Sequence, residues 1–449
     1  MKLTLKDIIF MNLVGIFSLR QIPYVAQYGA SSIILWLFAA FGFFIPLALV
    51  CGELGSRFSK SGGIFLWINK AFGVKIAYFC LVCYLLSCLA FFPMMLYFAA
   101  SSLAFVLEIK AKAYFVAGFS VFSFCVLTYI NYRGISYTRF INIIFVYLGI
   151  VLPFILLLIV CVIFVMFNDG LKTPYDSGFL PEFDLNTLVF ASSMMFAFAG
   201  LELSMMMSTK IENAQKTYPK AVLISAFLIV SIYILGTFFI NAIYPAKDTD
   251  ILDGIMQAIT YSSDVLGIKS LPKIMAFCLL VGTLGQINSW LIAPIYMLAS
   301  ASKEGIIKFY EAKPHPIYKT PYRALFAQAF LVSAICIFCV FFTKAKDIYW
   351  LLSSLTTVSY FLPYVAMFLA YFKLKNYSDG ELEFGINNKY LSTMLAILGL
   401  FSVLFSLALS FTIPSDSDDS AVSYFLEILF APILAFLIVV FTFDKTCNK

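Results

Sequence analysis

The sequence predicts an all-α polytopic membrane protein of twelve transmembrane helices, and three observations predict it. Hydrophobic residues make up 62% of the 449-residue chain and charged residues only 12%, with a mean hydropathy of +0.96, far from the composition of a soluble domain. Twelve mostly apolar stretches are each long enough for the roughly 20 helical residues that cross a bilayer. Two of them, the first and the sixth, carry polar or small residues where a plain membrane helix would carry Leu or Val. The alternation of a β-barrel is absent, and the extramembrane part is too small for a second domain, so 1–449 reads as one membrane domain.

Span 1 (8–27) contains Phe17-Ser18-Leu19-Arg20-Gln21-Ile22-Pro23. A central Arg costs about 2.5–3.5 kcal/mol on the insertion scale, so something must compensate it. Pro23 cannot donate a backbone hydrogen bond and clashes with the preceding turn, so the helix is expected to break there. Freed backbone at membrane depth survives only against protein or a wet cavity, which points to a binding site.

Span 2 (33–50) leads into the connection 52–73, whose basic, aromatic second half reads as an interfacial helix entered through Gly62-Gly63. Spans 3 (76–107), 4 (114–130) and 5 (140–167) follow, then an acidic loop, 168–184. Span 6 (188–207) carries the second disturbance, Phe196-Ala197-Phe198-Ala199-Gly200-Leu201-Glu202. After span 7 (221–243), the segment 250–269 places Ile251, Ile255, Met256 and Ile259 on one apolar face expected to lie on the membrane. Span 8 (274–301) contains Gly282, Gly285, Gln286, Asn288, Ser289 and Trp290, polar enough to face the protein interior. Spans 9 (324–342), 10 (349–372), 11 (391–411) and 12 (424–441) complete the set.

Five spans opened by a broken helix (8–167), five more opened by another (188–372) and two extra spans (391–441) form the pattern of an inverted-repeat transporter, since an odd repeat necessarily inverts its second half. With the N-terminus in the cytoplasm, 21 of the 30 Lys and Arg fall on that side, so the positive-inside rule places both termini inside. Span 1 is too long for a signal h-region and is read as retained. Cys80 and Cys83, like Cys336 and Cys339, have C-x-x-C spacing but lie in apolar helices far from His315, the one histidine, and read as small buried residues. No phosphate-cradling loop, paired metal ligands or nucleophile–base pair is present, so no enzyme, cofactor, metal or nucleic-acid role is indicated.

Taken together, Leu19-Arg20-Gln21-Ile22-Pro23 with Ala26 and Gly29, the 53–73 connection with Gly62-Gly63, Trp67 and Phe72-Gly73, Phe92-Pro93-Met94 with Tyr97, Gly200-Leu201-Glu202, Tyr218-Pro219 and Ser289-Trp290 resemble the amino acid–polyamine–organocation superfamily, and within it the glutamate:GABA antiporter family. The resemblance covers essentially the whole chain. It implies a LeuT-like fold with substrate between the unwound parts of spans 1 and 6, walled by spans 3, 8 and 10. It further implies that backbone amides around Phe17, Ser18 and Leu19 hold the substrate carboxylate and that carbonyls of Phe196, Ala197, Phe198 and Ala199 hold its ammonium group. Trp290, Phe196, Tyr360 and Tyr364 are then wall or gate aromatics, and Gly200, Glu202, Gln21 and Pro23 serve gating or coupling. Elementary electrostatics agrees, because a half-helix N-terminus favours an anion and unwound carbonyls favour a cation.

Two charged residues leave alternatives open. Arg20 can meet a substrate carboxylate, pair with Glu202, or reach a wet vestibule; Glu202 can couple closure or protonation, or simply bond the span-1 backbone. The six residues after Phe443 are too short for the C-terminal plug of the acid-regulated relatives, the lone His315 makes a histidine pH switch unexpected, and span 5 has no lysine in place of sodium, so proton coupling stays open. The expectation is a bacterial inner-membrane antiporter whose partners are the bilayer and an amino acid, exchanging glutamate or a relative for another amino acid or amine. Proton-coupled uptake and a transport-inactive sensor are the alternatives.

Overall fold

The computed structural model describes residues 2–58, 62–167, 170–173, 178–181, 184–250, 253–305, 313–341, 345–377, 383–386, 388–412 and 421–447. Span 1 is split into α1 (Leu5–Ile16) and α2 (Gln21–Ala26). Span 2 comprises α3 (Ser32–Ala39) and α4 (Ile45–Arg57), joined by a π-helical turn, Ala40–Phe44. After α5 (Ile64–Phe72) come α6 (Val74–Val106) and α7 (Ala113–Tyr132), spans 3 and 4. Span 5 pairs α8 (Ile135–Val146) with α9 (Leu152–Phe167) across a second π turn, Tyr147–Val151. Span 6 is α10 (Leu185–Phe196), a break, and two 3-10 segments, Leu201–Leu203 and Met205–Lys210. Then follow α11 (Ala214–Ile243), α12 (Gly254–Leu266), α13 (Leu271–Lys303), α14 (Tyr322–Phe338), α15 (Ala345–Leu374), α16 (Lys389–Leu409) and α17 (Ala421–Cys447).

Both π turns end two residues before a proline, Pro46 and Pro153. Proline lacks an N–H and crowds the carbonyl four residues back, and widening the preceding turn accommodates both. In the first of these turns the carbonyl of Gly42 instead accepts from Ser402 Oγ on α16 at 2.8 Å. In the second, Gly149 meets Gly282 so closely that a Cβ on either would overlap the other's backbone, which brings spans 5 and 8 into backbone contact.

Among the described residues ten helical segments are long and apolar enough to cross a membrane; the broken span 1 and α15, with its apolar stretch Val358–Leu374, make up the predicted twelve. The membrane windows of spans 3 and 8 are 78% buried and that of span 12 only 17%, so α6 and α13 form the centre and α17 lies at the rim. On rim helices Phe122, Phe227, Phe330, Phe401 and Phe441 stand exposed, the lipid-facing side of a multi-pass protein.

Two sequence expectations are corrected. The apolar face of the connection helix α5 is covered by protein and not by lipid: Ile64, Phe65, Leu66, Trp67 and Ile68 are buried against α6 and α15, and the exposed position is Lys70. Gly62 and Gly63 (φ +120° and +49°) make the turn, and Gly63 backs onto the Met206 backbone, where a Cβ would come within 3.2 Å of its nitrogen. Likewise Ile255 and Ile259 of α12 are buried against the bundle, leaving Met256 half-buried; Ile251 lies outside the described residues. A helix that is apolar on one face can satisfy that face with protein as well as with lipid.

Candidate functional site

The span-1 break occupies 17–20, between α1 and α2. Pro23 is not the break itself: it sits third in α2, inside the first turn, where helical N–H groups have no intrahelical acceptor. The chain instead enters α2 through tight turns, Gln21 N–H to Ser18 O at 3.0 Å and Ile22 N–H to Leu19 O at 3.0 Å. Interrupting the helix frees the carbonyl of Gly15, and Trp290 Nε1 of α13 donates to it at 2.8 Å, with Gln286 Nε2 at 3.3 Å. Trp290 is thus anchored by its indole N–H, with its ring against Phe91, Tyr360 and Tyr84.

In span 6 the break runs 197–200. Gly200 stands at φ +122°, a conformation side chains with a Cβ rarely adopt, and a Cβ there would also press on Ile16, Leu203 and Trp290 at 3.2–3.3 Å. The two breaks therefore abut. Tyr233 of α11 joins them: its hydroxyl accepts from Ser18 N–H at 3.1 Å and lies 3.3 Å from the Ile16 carbonyl and 3.5 Å from that of Ala197.

The backbone groups expected to hold substrate divide accordingly. The Phe17 amide is spent on Leu13 O at 2.9 Å and the Ser18 amide on Tyr233, whereas the Leu19 amide has no protein acceptor among the described residues. In span 6 the Phe196 carbonyl accepts from Ala199 N–H at 3.1 Å, while those of Phe198 and Ala199 have no protein donor among the described residues. Of the site aromatics, Phe196 is half-buried and packs edge-on against Tyr360, but the ring of Phe198 faces span 2, stacked on Phe44 at 4.4 Å and near Trp36, and is a packing residue. Gln21 is half-buried beside the break.

Glu202 is fully buried, and three hydroxyls donate to it: Tyr84 to Oε1 at 2.7 Å, Tyr360 to Oε1 at 2.6 Å and Tyr364 to Oε2 at 2.5 Å. Tyr360 and Tyr364 also touch hydroxyl to hydroxyl at 2.6 Å, and Gly200 N–H donates to Tyr364 at 3.3 Å. The Arg20–Glu202 pair considered from the sequence is not formed. Tyr360 and Tyr364, expected as wall aromatics, also supply the carboxyl's hydrogen bonds, the Tyr360 ring packing on Phe196 and Trp290, and Tyr84 is one tyrosine among 26 with no sequence signal of its own.

Arg20 faces the other way. Its guanidinium lies 6.0 Å from the Phe98 ring and lines a cavity of about 830 Å³ beneath α12, together with Pro23, Tyr97, Gln257, Asp253 and Asp264. Partial desolvation at the cavity, then the neighbouring Asp250 charge, pushes the Asp253 carboxyl above its ordinary range, although the residue keeps exposed surface.

The opposite, termini-bearing side is closed by polar ties. Leu3 pairs with the strand-like segment after span 6, Leu3 N–H to Lys210 O at 2.7 Å and Glu212 N–H to Leu3 O at 2.9 Å. Asp7 on α1 binds Arg139 on α8 at 2.6 Å, and buried Glu53 receives both Arg57 at 2.6 Å and Tyr371 at 2.8 Å. Deeper, Asn131 of α7, Asn142 of α8 and Asn288 of α13 are linked by two 2.7 Å bonds, with Thr138 completing the chain.

The family model described as amino acid permease matches residues 3–441. The chain belongs to the amino acid permease family. The permease is 25% identical over 445 residues to an uncharacterized transporter of Legionella pneumophila, covering 98% of this chain and 96% of that one. It is 26% identical over 389 residues to the glutamate/gamma-aminobutyrate antiporter of Lactococcus lactis, covering 83% of the permease and 76% of the relative. Among solved structures, the manganese transporter of Eremococcus coleocola superposes with a TM-score of 0.63 at 12% identity, covering 99% and 95% of the two chains. That likeness carries the fold alone, which is LeuT-like. The permease is a multi-pass membrane transporter of this family.

Proposed function

We propose that the permease is an amino acid antiporter of a bacterial inner membrane, both termini cytoplasmic, exchanging glutamate or a related amino acid for another amino acid or amine by alternating access. The observation that carries the reading is the abutment of the two breaks: the open Leu19 amide on one side and the open Phe198 and Ala199 carbonyls on the other present a donor and acceptors to a zwitterion's main chain. The likeness to glutamate/gamma-aminobutyrate antiporters supports the substrate class. Arg20 offers the planar, permanently charged fork suited to a second, side-chain carboxylate entering through the cavity beneath α12.

Glu202 is the coupling element in this reading. Its two oxygens gather hydroxyls from α6 and α15 beside the span-6 break, so a movement of span 6 either carries these helices with it or breaks the bonds. Alternating access then means opening the ties at Leu3, Asp7–Arg139 and Glu53 while α12 and span 1 close over Arg20.

The test is equilibrium binding of radiolabelled glutamate to the purified protein, competed by GABA, glutamine and arginine, in wild type and R20A. The reading predicts saturable glutamate binding, with R20A weakening glutamate at least tenfold but glutamine by much less, since a charge-assisted bond contributes about 1.5–3 kcal/mol. Equal weakening of both would remove Arg20 from substrate selection.

A further inference from the structure

We propose that Tyr233 is a positioning residue of the transport site, whose single hydroxyl ties the break in span 1 to the break in span 6 so that the two close on substrate as one unit. The proposal rests on the substrate site argued above and adds to it a residue on a third helix.

The geometry is specific to the hydroxyl rather than to the ring. Its oxygen takes the Ser18 N–H at 3.1 Å, and its one proton has two carbonyls in reach, Ile16 at 3.3 Å and Ala197 at 3.5 Å. Each carbonyl ends a helix where the next turn would have supplied an N–H, so each lacks its helical donor. Sharing one proton between them couples the two breaks. Tyr233 is fully buried, where any unmade hydrogen bond is costly.

The ring is held so that the hydroxyl cannot wander. It stacks on Trp36 at 4.4 Å and 10°, and Trp36 Nε1 donates at 2.9 Å to Thr237, one turn further along α11. Phe17 and Phe198, one from each break, lie against it at 5.0 and 5.6 Å. The close approach is made possible at Gly236, where a Cβ would stand 2.6 Å from Ile22 of α2. Phenylalanine would fill the same space, so packing alone gives no reason for a hydroxyl aimed at three backbone groups. By occupying the Ser18 amide, Tyr233 also leaves Leu19 as the open donor and so sets where a carboxylate is received.

Y233F keeps the ring and removes the tie. Two measurements on the purified full-length protein decide the matter. Amide exchange should rise in Y233F in both 16–20 and 197–200, in parallel, with a lowered melting temperature, while glutamate affinity falls about tenfold. T237V, which loosens Trp36 without touching the hydroxyl, should lower the melting temperature and leave affinity near wild type. Unchanged exchange at 197–200 in Y233F, or unchanged affinity, would overturn the proposal. Should wild type bind no amino acid of the panel, the substrate reading falls, but the exchange measurement still judges the tie.

Discussion

At Gly200 the backbone at φ +122° and the ring of Trp290 at 3.3 Å leave no room for a side chain, so G200A should cost about 2–3 kcal/mol of stability from backbone strain alone, measurable as a lowered melting temperature. Glu202 two residues on makes a different prediction. In E202Q an amide NH2 replaces one acceptor oxygen among the donating hydroxyls of Tyr84, Tyr360 and Tyr364, so at least one buried hydroxyl loses its acceptor, and E202Q should cost about 1–3 kcal/mol, measurable as a lowered melting temperature. Asp253 allows the sign to be worked out directly. Its folded-state pKa is raised by partial desolvation and by the Asp250 charge, so folding favours the protonated form, and stability declines as pH rises from the ordinary carboxylate range through the raised value. D253N should therefore melt at a higher temperature than wild type at neutral pH, with the difference vanishing in acid. The sequence exposed Gly200 and Glu202 because small residues and a carboxylate are conspicuous in an apolar span. Tyr84 and Tyr233 stayed hidden because a tyrosine that fills space and one that donates a specific bond look alike until their hydroxyls are placed.

Elements were legible to different degrees for a physical reason. The breaks in spans 1 and 6 were visible because unwinding needs local residues, glycine, proline or polar groups, that the sequence prints. Where a half-apolar helix goes was not, since α5 and α12 have the pattern of surface-lying helices yet bury their apolar faces in protein. The π turns are equally silent in the sequence, since nothing in it places Ser402 against Gly42 O; S402A removes that bond and should cost about 1–3 kcal/mol. The termini-side closure is a property of elements in contact, α1 with α8 through Asp7 and Arg139. Arg139 is partly exposed, so this pair is worth only about 1 kcal/mol. R139Q should accordingly shift the populations by roughly fivefold toward the state open on that side, read as faster alkylation of a cysteine placed at Met207, which lines the small pocket between these helices.

Across the whole molecule, α6 and α13 form a deeply buried frame and the two broken spans meet beside it, one face holding a cavity that reaches Arg20 and the other face tied shut. Such an arrangement leaves the region beside Arg20 reachable from one face, and the exchange proposed above follows if the two faces open in turn. The direct test is uptake of radiolabelled glutamate into proteoliposomes preloaded with glutamate, GABA, glutamine or buffer alone, with and without a proton gradient. The account predicts uptake only into vesicles loaded with an amino acid, and the best internal partner identifies the second substrate. Equal uptake into empty vesicles driven by the proton gradient would contradict exchange and establish symport, and binding without uptake under any loading would contradict transport itself.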